Sequence, residues 1–254
     1  MRVDLLLVKK NLATTRTRAQ EMIKAGQVTV VIDGKKKTVT KPSEDYSEEV
    51  IFEVLSGFAT EFVSRAGHKI KGAAGDLNLK FENKNCLDVG VSTGGFSDFL
   101  LQNGAESVLG IDVGQDQTHS AIKENKRFKL LEKVNARALD QHAEFMALVP
   151  KNGFDFICMD VSFISVKLIL PQLKPLLTDD GDLLVLIKPQ FELGPDALNE
   201  NGIVKDTSLY QTLEKNMLSS AQDLGFKIKK YFSSPIEGKD GNKEFFLLLG
   251  KNSS

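Results

Sequence analysis

Leu87-Asp88-Val89-Gly90-Val91-Ser92-Thr93-Gly94-Gly95-Phe96-Ser97 reads as a buried strand that breaks in a glycine turn and enters a helix. Glycine carries no Cβ and tolerates positive φ, so such a turn lets backbone N–H groups approach a ligand closely. A dinucleotide fingerprint spaces its glycines G-x-G-x-x-G and leaves room for a pyrophosphate. Here the spacing is Asp88-x-Gly90-x-x-x-Gly94-Gly95, with an acid ahead of the first glycine. A carboxylate repels phosphate and suits a cation. Either this is an ordinary strand-turn-helix corner, or it holds S-adenosylmethionine, which has an ammonium, a sulfonium and no phosphate. In the second case Asp88, Gly90, Ser92, Thr93, Gly94, Gly95 and Phe96 are the cofactor-binding candidates.

From this stretch onward strands and helices alternate, the rhythm of an open parallel sheet with helices on both faces. Strands are expected at 85–89, 107–111, 129–134, 154–159, 182–187, 227–232 and 244–249, with helices starting near Gly95, Asp116, Leu139, Ile164 and Thr207. The fold class is α/β, a Rossmann-like sheet of seven strands, preceded by a small α+β segment. Ligands of such sheets bind outside the carboxyl ends of the strands. Asp112 ends the second strand, where an acid accepts hydrogen bonds from ribose hydroxyls, or caps the next helix. Asn135 follows the third strand and is a candidate for an adenine edge. Asp160 and Lys188 end the fourth and fifth, and Glu244 opens the last. Lys69 lies ahead of the first strand. Two lysines and two acids can thus converge on one cleft. A lysine there either accepts a proton from a ribose hydroxyl or stabilises the alkoxide that develops, and salt bridges of purely structural role are the bland alternative.

The chain has 254 residues and a formal net charge of -1, unevenly spread. Residues 1–41 hold ten Lys/Arg against three Asp/Glu. A basic head on an acidic body suits a polyanion partner. The head reads as a short apolar helix over Arg2–Val8, a turn at Asn11-Leu12-Ala13, and a second helix capped by Thr14 and ended by Gly26. A strand over Gln27–Ile32 and a hairpin turn at Asp33-Gly34 follow. Arg16, Arg18 and the run Lys35-Lys36-Lys37 are expected on one basic face, with Arg2, Lys24 and Arg65 as further phosphate contacts.

Arg2-Val3-Asp4 followed by Thr17-Arg18-Ala19-Gln20-Glu21-Met22-Ile23-Lys24-Ala25-Gly26-Gln27-Val28-Thr29-Val30 resembles the S4-type RNA-binding domain of ribosomal proteins. That resemblance makes Arg16 and Arg18 the leading RNA contacts. The order Lys69, Asp160, Lys188, Glu244 resembles the Lys-Asp-Lys-Glu tetrad of FtsJ-type ribose 2′-O-methyltransferases. The motifs Val63-Ser64-Arg65-Ala66-Gly67-His68-Lys69, Met159-Asp160-Val161-Ser162-Phe163-Ile164-Ser165 and Ile187-Lys188-Pro189-Gln190-Phe191-Glu192 extend the likeness to nearly the whole chain. As a whole it resembles the TlyA family, whose members are named either hemolysins or ribosomal RNA cytidine 2′-O-methyltransferases. The resemblance implies an S4-like domain over 1–60, a methyltransferase domain over 61–254, S-adenosylmethionine as cofactor, and ribosomal RNA or ribosomal subunits as partner. It also implies an antiparallel last strand. Val91 departs from the small residue expected there.

No apolar run reaches the roughly 18 residues of a membrane helix, and the N-terminus shows no signal peptide, so the cytoplasm is the expected compartment. Cys86 and Cys158 fall in core strands and read as small buried residues. His68, His119 and His142 show no metal-ligand spacing, so no metal is expected. Phe96 and Phe163 either pack in the core or line a cofactor or base-stacking surface. Gly194–Ile203 is a loop that serves as a lid or as a plain connection. Two rival functions remain: a noncatalytic RNA-binding factor, which the intact tetrad disfavours, and a membrane-lytic protein, for which no amphipathic segment stands out.

Overall fold

The computed structural model describes residues 1–13, 15–24, 26–32, 35–54, 61–238 and 242–252. The expected cap at Thr14 and the turn at Asp33-Gly34 lie outside them. The chain divides into two compact units, Met1–Arg65 and Ala66–Ser254.

In the first unit, α1 (Val3–Lys9) and α2 (Arg16–Lys24) share a core with a three-stranded antiparallel sheet of β1 (Val28–Ile32), β2 (Lys35–Thr38) and β3 (Ile51–Val54). The strand order is β2-β1-β3. Val28 and Val30 alternate inward on β1 and meet Val3, Leu6, Leu7, Ala19, Met22 and Ile23 of the helices. Gly26 follows α2 at φ 68°, the left-handed end a helix favours. The unit runs on to Arg65; Arg18 donates to the carbonyl of Phe62, within the same unit.

Asp4 is the polar centre of this unit, with a side chain that is 0% exposed. Arg2 donates to both its oxygens (3.1 and 3.0 Å), and Arg16 Nε (2.9 Å) and Gln20 Nε2 (2.8 Å) donate to Oδ2. Burial alone would raise this carboxyl, but the donors from Arg2, Gln20 and Arg16 outweigh it and hold it well below the usual carboxylate range.

The second unit opens with α3 (Ala66–Leu77), then β4 (Asn85–Val89), α4 (Gly95–Gln102), β5 (Ser107–Ile111), α5 (Ser120–Lys123) and β6 (Phe128–Leu131). It continues with α6 (Ala143–Met146), β7 (Phe154–Met159), α7 (Leu170–Leu173), β8 (Leu177–Ile187), α8 (Leu209–Asp223), β9 (Phe226–Ser233) and β10 (Phe245–Lys251). The seven strands order as β6-β5-β4-β7-β8-β10-β9. All neighbours are parallel except β10, which runs antiparallel to β8 and β9. Strand positions match the expected ones closely. The exceptions are β6, which ends at Leu131 and not 134, and β8, which starts five residues early at Leu177.

The helices are more broken than expected. The segment from Asn135 begins with a 3-10 turn over Ala136–Gln141, kinked at Ala138, and Val166–Leu168 forms another. His142 and His119 accept backbone N–H bonds through Nδ1 at the starts of α6 and α5, a capping role for both.

Period-two alternation gives the sheet two apolar faces. Leu87, Val89, Ile157, Met159, Leu183, Val185 and Leu247 face a core shared with Leu170, Leu173, Leu213 and Met217 of α7 and α8. The opposite face holds Phe156, which meets Phe81, and Phe246, which meets Phe96 of α4; Phe81 in turn meets Phe99 of α4. Cys86 and Cys158 are buried, and burial pushes the Cys86 thiol up to about 12, so both serve as packing. Among the described residues no helix is long and apolar enough to cross a membrane.

Asp4 organises four hydrogen bonds, so its removal is expected to loosen the first unit first. Asp4→Asn should lower the hydrogen-exchange protection of α1 and α2 amides by about 2 kcal/mol near neutral pH. Because the folded carboxyl sits below its unfolded value, its stabilisation is present above about pH 4 and is lost as pH falls further. The gap between variant and wild type should therefore narrow only in acid.

Candidate active site

A cavity of about 420 Å³ opens at the carboxyl ends of β4, β5 and β7. Gly90, Ser92, Asp112, Asn135 and Asp160, all candidates from the sequence, line it. Asp112 does not cap α5. Its Oδ2 accepts from Ser92 N and its Oδ1 from Gly114 N, both at 2.7 Å, so it clasps the glycine turn and still faces the cavity. Asn135 Oδ1 accepts from Arg137 N at 3.0 Å at the start of the 3-10 turn.

The remaining turn residues are placed differently. Asp88 is 1% exposed and does not line the cavity. Alternation points its side chain to the α4 face, where Oδ2 accepts from Ser97 N (3.0 Å) and Ser97 Oγ (2.6 Å). The expectation of a carboxylate facing a cationic ligand is thus corrected: Asp88 holds the start of α4 from beneath. Burial raises its carboxyl to about 7, against the lowering by Ser97 and with a further rise from the charge of Asp160. Phe96 packs on Phe246 at 6.5 Å between centroids, and Thr93 accepts from His119 N through its carbonyl. Gly94 takes φ 97° as the turn enters α4. Thr93, Gly94, Gly95 and Phe96 thus shape the turn without lining the cavity.

Gly90, at φ 87°, lies where a Cβ would run into the carbonyl oxygen of Asp160. That absence lets the β4 turn close on the β7 end. Val91 is 4% exposed and turns away from the cavity onto Gly110, whose missing Cβ leaves it room. The larger residue is accommodated behind the turn.

Sequence reasoning missed Val113, Gln117, Val134 and Ile169 of the lining, which carry no motif. Among the described residues no lysine or arginine lines the cavity, whereas Asp112 and Asp160 do. That donor set fits a cationic ligand without phosphate, and the apolar wall suits a flat heterocycle. The charge argument for S-adenosylmethionine therefore passes from Asp88 to these two acids.

Sheet topology brings the four candidate chemical residues to the same edge. Asp160 follows β7 and Lys188 follows β8, its parallel neighbour. Phe245 pairs with Ile187, so Glu244, one residue earlier on the antiparallel strand, arrives beside Lys188. Lys188 Nζ lies 2.5 Å from Asp160 Oδ1 and donates to Ser162 Oγ at 2.9 Å. Lys69, on α3, donates to Glu244 Oε2 at 2.6 Å, with both side chains nearly buried (11% and 3% exposed). Gly72 lies one turn further along α3, where a Cβ would come within 2.5 Å of the Pro235 ring. This bare stretch of helix lets α3 approach closely enough for Lys69 to reach Glu244.

Asn242, two residues before Glu244 and also unforeseen, accepts from Val204 N (3.2 Å) and donates to Gly202 O (2.9 Å). The 194–203 loop is anchored to the start of β10 by these bonds. Phe163 is 91% exposed, holds φ 64°, and meets Phe191 at 5.2 Å beside the cavity.

The basic residues of the first unit do not form one face. Arg18 is 6% exposed and donates to Glu21 (3.1 Å) and to the Phe62 carbonyl, so the expectation of a phosphate contact there is corrected. Arg2 and Arg16 remain about half exposed while anchored on Asp4. Lys24 is exposed. Lys36 and Lys37 are exposed on opposite faces of β2, paired with Glu53 (2.6 Å) and Glu44 (3.7 Å). Arg65 is half-buried, and the side chain of Lys35 lies outside the described residues.

Two outcomes follow from these contacts. Gly72→Ala should lower catalytic turnover at least about tenfold by displacing α3, at a stability cost of roughly 1–3 kcal/mol, read from kinetics and thermal melts. Asp88→Asn keeps an acceptor for Ser97 and removes a titration. The folded carboxyl holds its proton to about pH 7, so wild type loses stability as pH rises from about 4 to about 7. Relative to wild type, the variant should gain melting temperature across that window and no further above it.

Comparison with known proteins accords with this geometry. Residues 62–251 match the FtsJ-like methyltransferase model, and residues 1–48 match the S4 domain. The chain is 36% identical over 248 residues to the 16S/23S rRNA (cytidine-2′-O)-methyltransferase TlyA of Mycobacterium tuberculosis, covering 98% of this chain and 89% of that protein. It is 35% identical over 245 residues to Hemolysin A of Brachyspira hyodysenteriae, covering 96% and 98%. The solved structure of a "putative hemolysin" from Streptococcus thermophilus aligns with TM-score 0.74 at 36% identity, covering 100% of this chain and 89% of that one. With its acid-lined cavity and paired lysines, the chain belongs to the FtsJ-like methyltransferase family, S-adenosylmethionine-dependent enzymes, and carries an S4 domain over residues 1–48.

Proposed function

We propose that this enzyme methylates a ribose 2′-hydroxyl of ribosomal RNA, presented as free RNA or within a ribosomal subunit, in the cytoplasm. The observation that carries the reading is the Lys188–Asp160 pair, 2.5 Å apart at the rim of a cavity that two acids line and, among the described residues, no lysine or arginine does. A methylated ribosomal RNA is what the relative from Mycobacterium tuberculosis is named for, and the S4 domain supports an RNA partner.

In this reading Asp112, Asn135 and Asp160 hold S-adenosylmethionine, with the two acids matching its positive charges. The cofactor supplies an electrophilic methyl group. Lys188 meets the attacking hydroxyl, and Asp160 and Ser162 fix the direction of its ammonium. As the oxygen–carbon bond forms and the methyl–sulfur bond breaks, the Lys188 ammonium would stabilise negative charge on the oxygen, and the hydroxyl proton would pass through Lys188 to Asp160. Lys69, pinned by Glu244, adds a second positive charge at the same edge. Phe163 offers a bare ring for a base to stack on. Arg2, Arg16 and Lys24 supply phosphate contacts from the first unit.

Transfer of labelled methyl from S-adenosylmethionine to ribosomal subunits and to naked ribosomal RNA tests the reading. Label is expected at one alkali-resistant ribose. Lys188→Ala should cut the rate by about 10² to 10⁴ without loss of folding. Full activity in that variant, or label on a base, would overturn the assignment. Vesicle leakage in place of RNA labelling would favour the membrane-lytic alternative.

A further inference from the structure

Beyond Met159 and Val185, the last paired residues of β7 and β8, two loops leave the sheet side by side. One carries Asp160 and the other Lys188. Their alignment beyond the strands rests on side chains. Lys188 reaches Asp160 and Ser162. Phe191 meets Phe163. Furthest out, Glu192 Oε2 accepts from Ser165 Oγ at 2.6 Å and Oε1 accepts from Val166 N at 2.8 Å.

We infer that Glu192 is a positioning residue for methyl transfer, a two-pronged clasp that joins the Lys188 loop to the Asp160 loop and thereby sets the spacing of that pair. The inference rests on the proposed role of Lys188 and Asp160. Glu192 is half-buried, does not line the cavity, and contacts neither Lys188 nor Asp160 through the bonds above, so it acts through the backbone between. The grip is well placed. Ser165 caps the 3-10 turn Val166–Leu168 through a bond from Lys167 N, and Val166 is the first residue of that turn. Ile169, just beyond it, lines the cavity. Burial pushes the Glu192 carboxyl up, while Ser165, Val166 and the charge of Lys167 pull it back, as for a carboxylate enclosed with two donors.

A carboxylate is well suited here, because two donors need two acceptors. Glutamine can still serve, since Oε1 accepts from Val166 N and the Ser165 hydroxyl can turn to accept from Nε2. Alanine cannot. The Glu192→Ala full-length enzyme is therefore expected to lose about 10- to 100-fold in single-turnover rate at saturating S-adenosylmethionine and RNA, the usual scale for a small misplacement of reacting groups. Its affinity for either ligand should change less than threefold, and Glu192→Gln should stay within about threefold of wild type. Ser165→Ala combined with Glu192→Ala should be no worse than Glu192→Ala alone.

Two further readouts do not need turnover. Hydrogen exchange should quicken at residues 161–168 and not across the sheet in Glu192→Ala, and the Lys188 side-chain NMR resonance should shift in Glu192→Ala and stay in Glu192→Gln. An unchanged resonance with unchanged exchange would overturn the clasp whatever the activity. Equal defects in the alanine and glutamine variants, with exchange raised throughout, would reduce Glu192 to a general stabilising role. If wild type itself transfers no methyl while the resonance shifts as expected, the functional reading fails and the clasp stands.

Discussion

The cleft of this enzyme is built around an ion pair held where two parallel strands end. Lys188 and Asp160 stand 2.5 Å apart with only 13% and 16% of their side chains exposed. Taking both charges largely out of water is costly, and such pairs are poor instruments of stability. The surroundings compensate in part, with Ser162 accepting a further bond from the ammonium. Leu183 to Ile187 and Phe154 to Met159 are almost wholly buried, so the strand ends that carry the pair are fixed by the apolar layers on the sheet. A rigid apolar platform thus presents a polar rim, and the free energy of the core tolerates charges that could not stabilise themselves.

The single antiparallel strand completes the rim. A seventh strand running the same way as the others would have brought its carboxyl end to this edge and its start to the far one. Because β10 is reversed, its first residues arrive opposite Ile187, and Glu244 reaches the cleft that the other strands end in. Lys69 joins from α3 because Gly72 presents no side chain to Pro235. Gly90 does the same for the β4 turn against Asp160. In both places an absent methyl group, not an added contact, sets the geometry.

The first unit solves a different electrostatic problem. Most of its described cations are exposed, where isolated charges contribute little to stability. Asp4 is buried beneath them and collects Arg2, Arg16 and Gln20. Two guanidinium groups are thereby held in place with about half of their surface exposed. Arg18, adjacent in the motif, is directed inward by the helical period and stabilises the unit.

The sequence by itself determined the seven strands, their order of appearance, the glycine turn and the identity of the four residues at the rim. Those features are local or periodic: apolar alternation, glycine spacing, and polar residues placed where apolar runs stop. Tertiary structure decided the directions in which side chains point. Asp88 stands in the motif but faces α4, because a strand sends successive residues to opposite faces and Asp88 still lies within β4, one residue before its end. Lys36 and Lys37 are neighbours in sequence and separated in space for the same reason. Asn242 and Glu192 meet partners on distant segments, and no spacing along one segment encodes those contacts. A strand's existence is written in its own residues, whereas the facing of a side chain and the partner it meets are properties of two or more elements packed together.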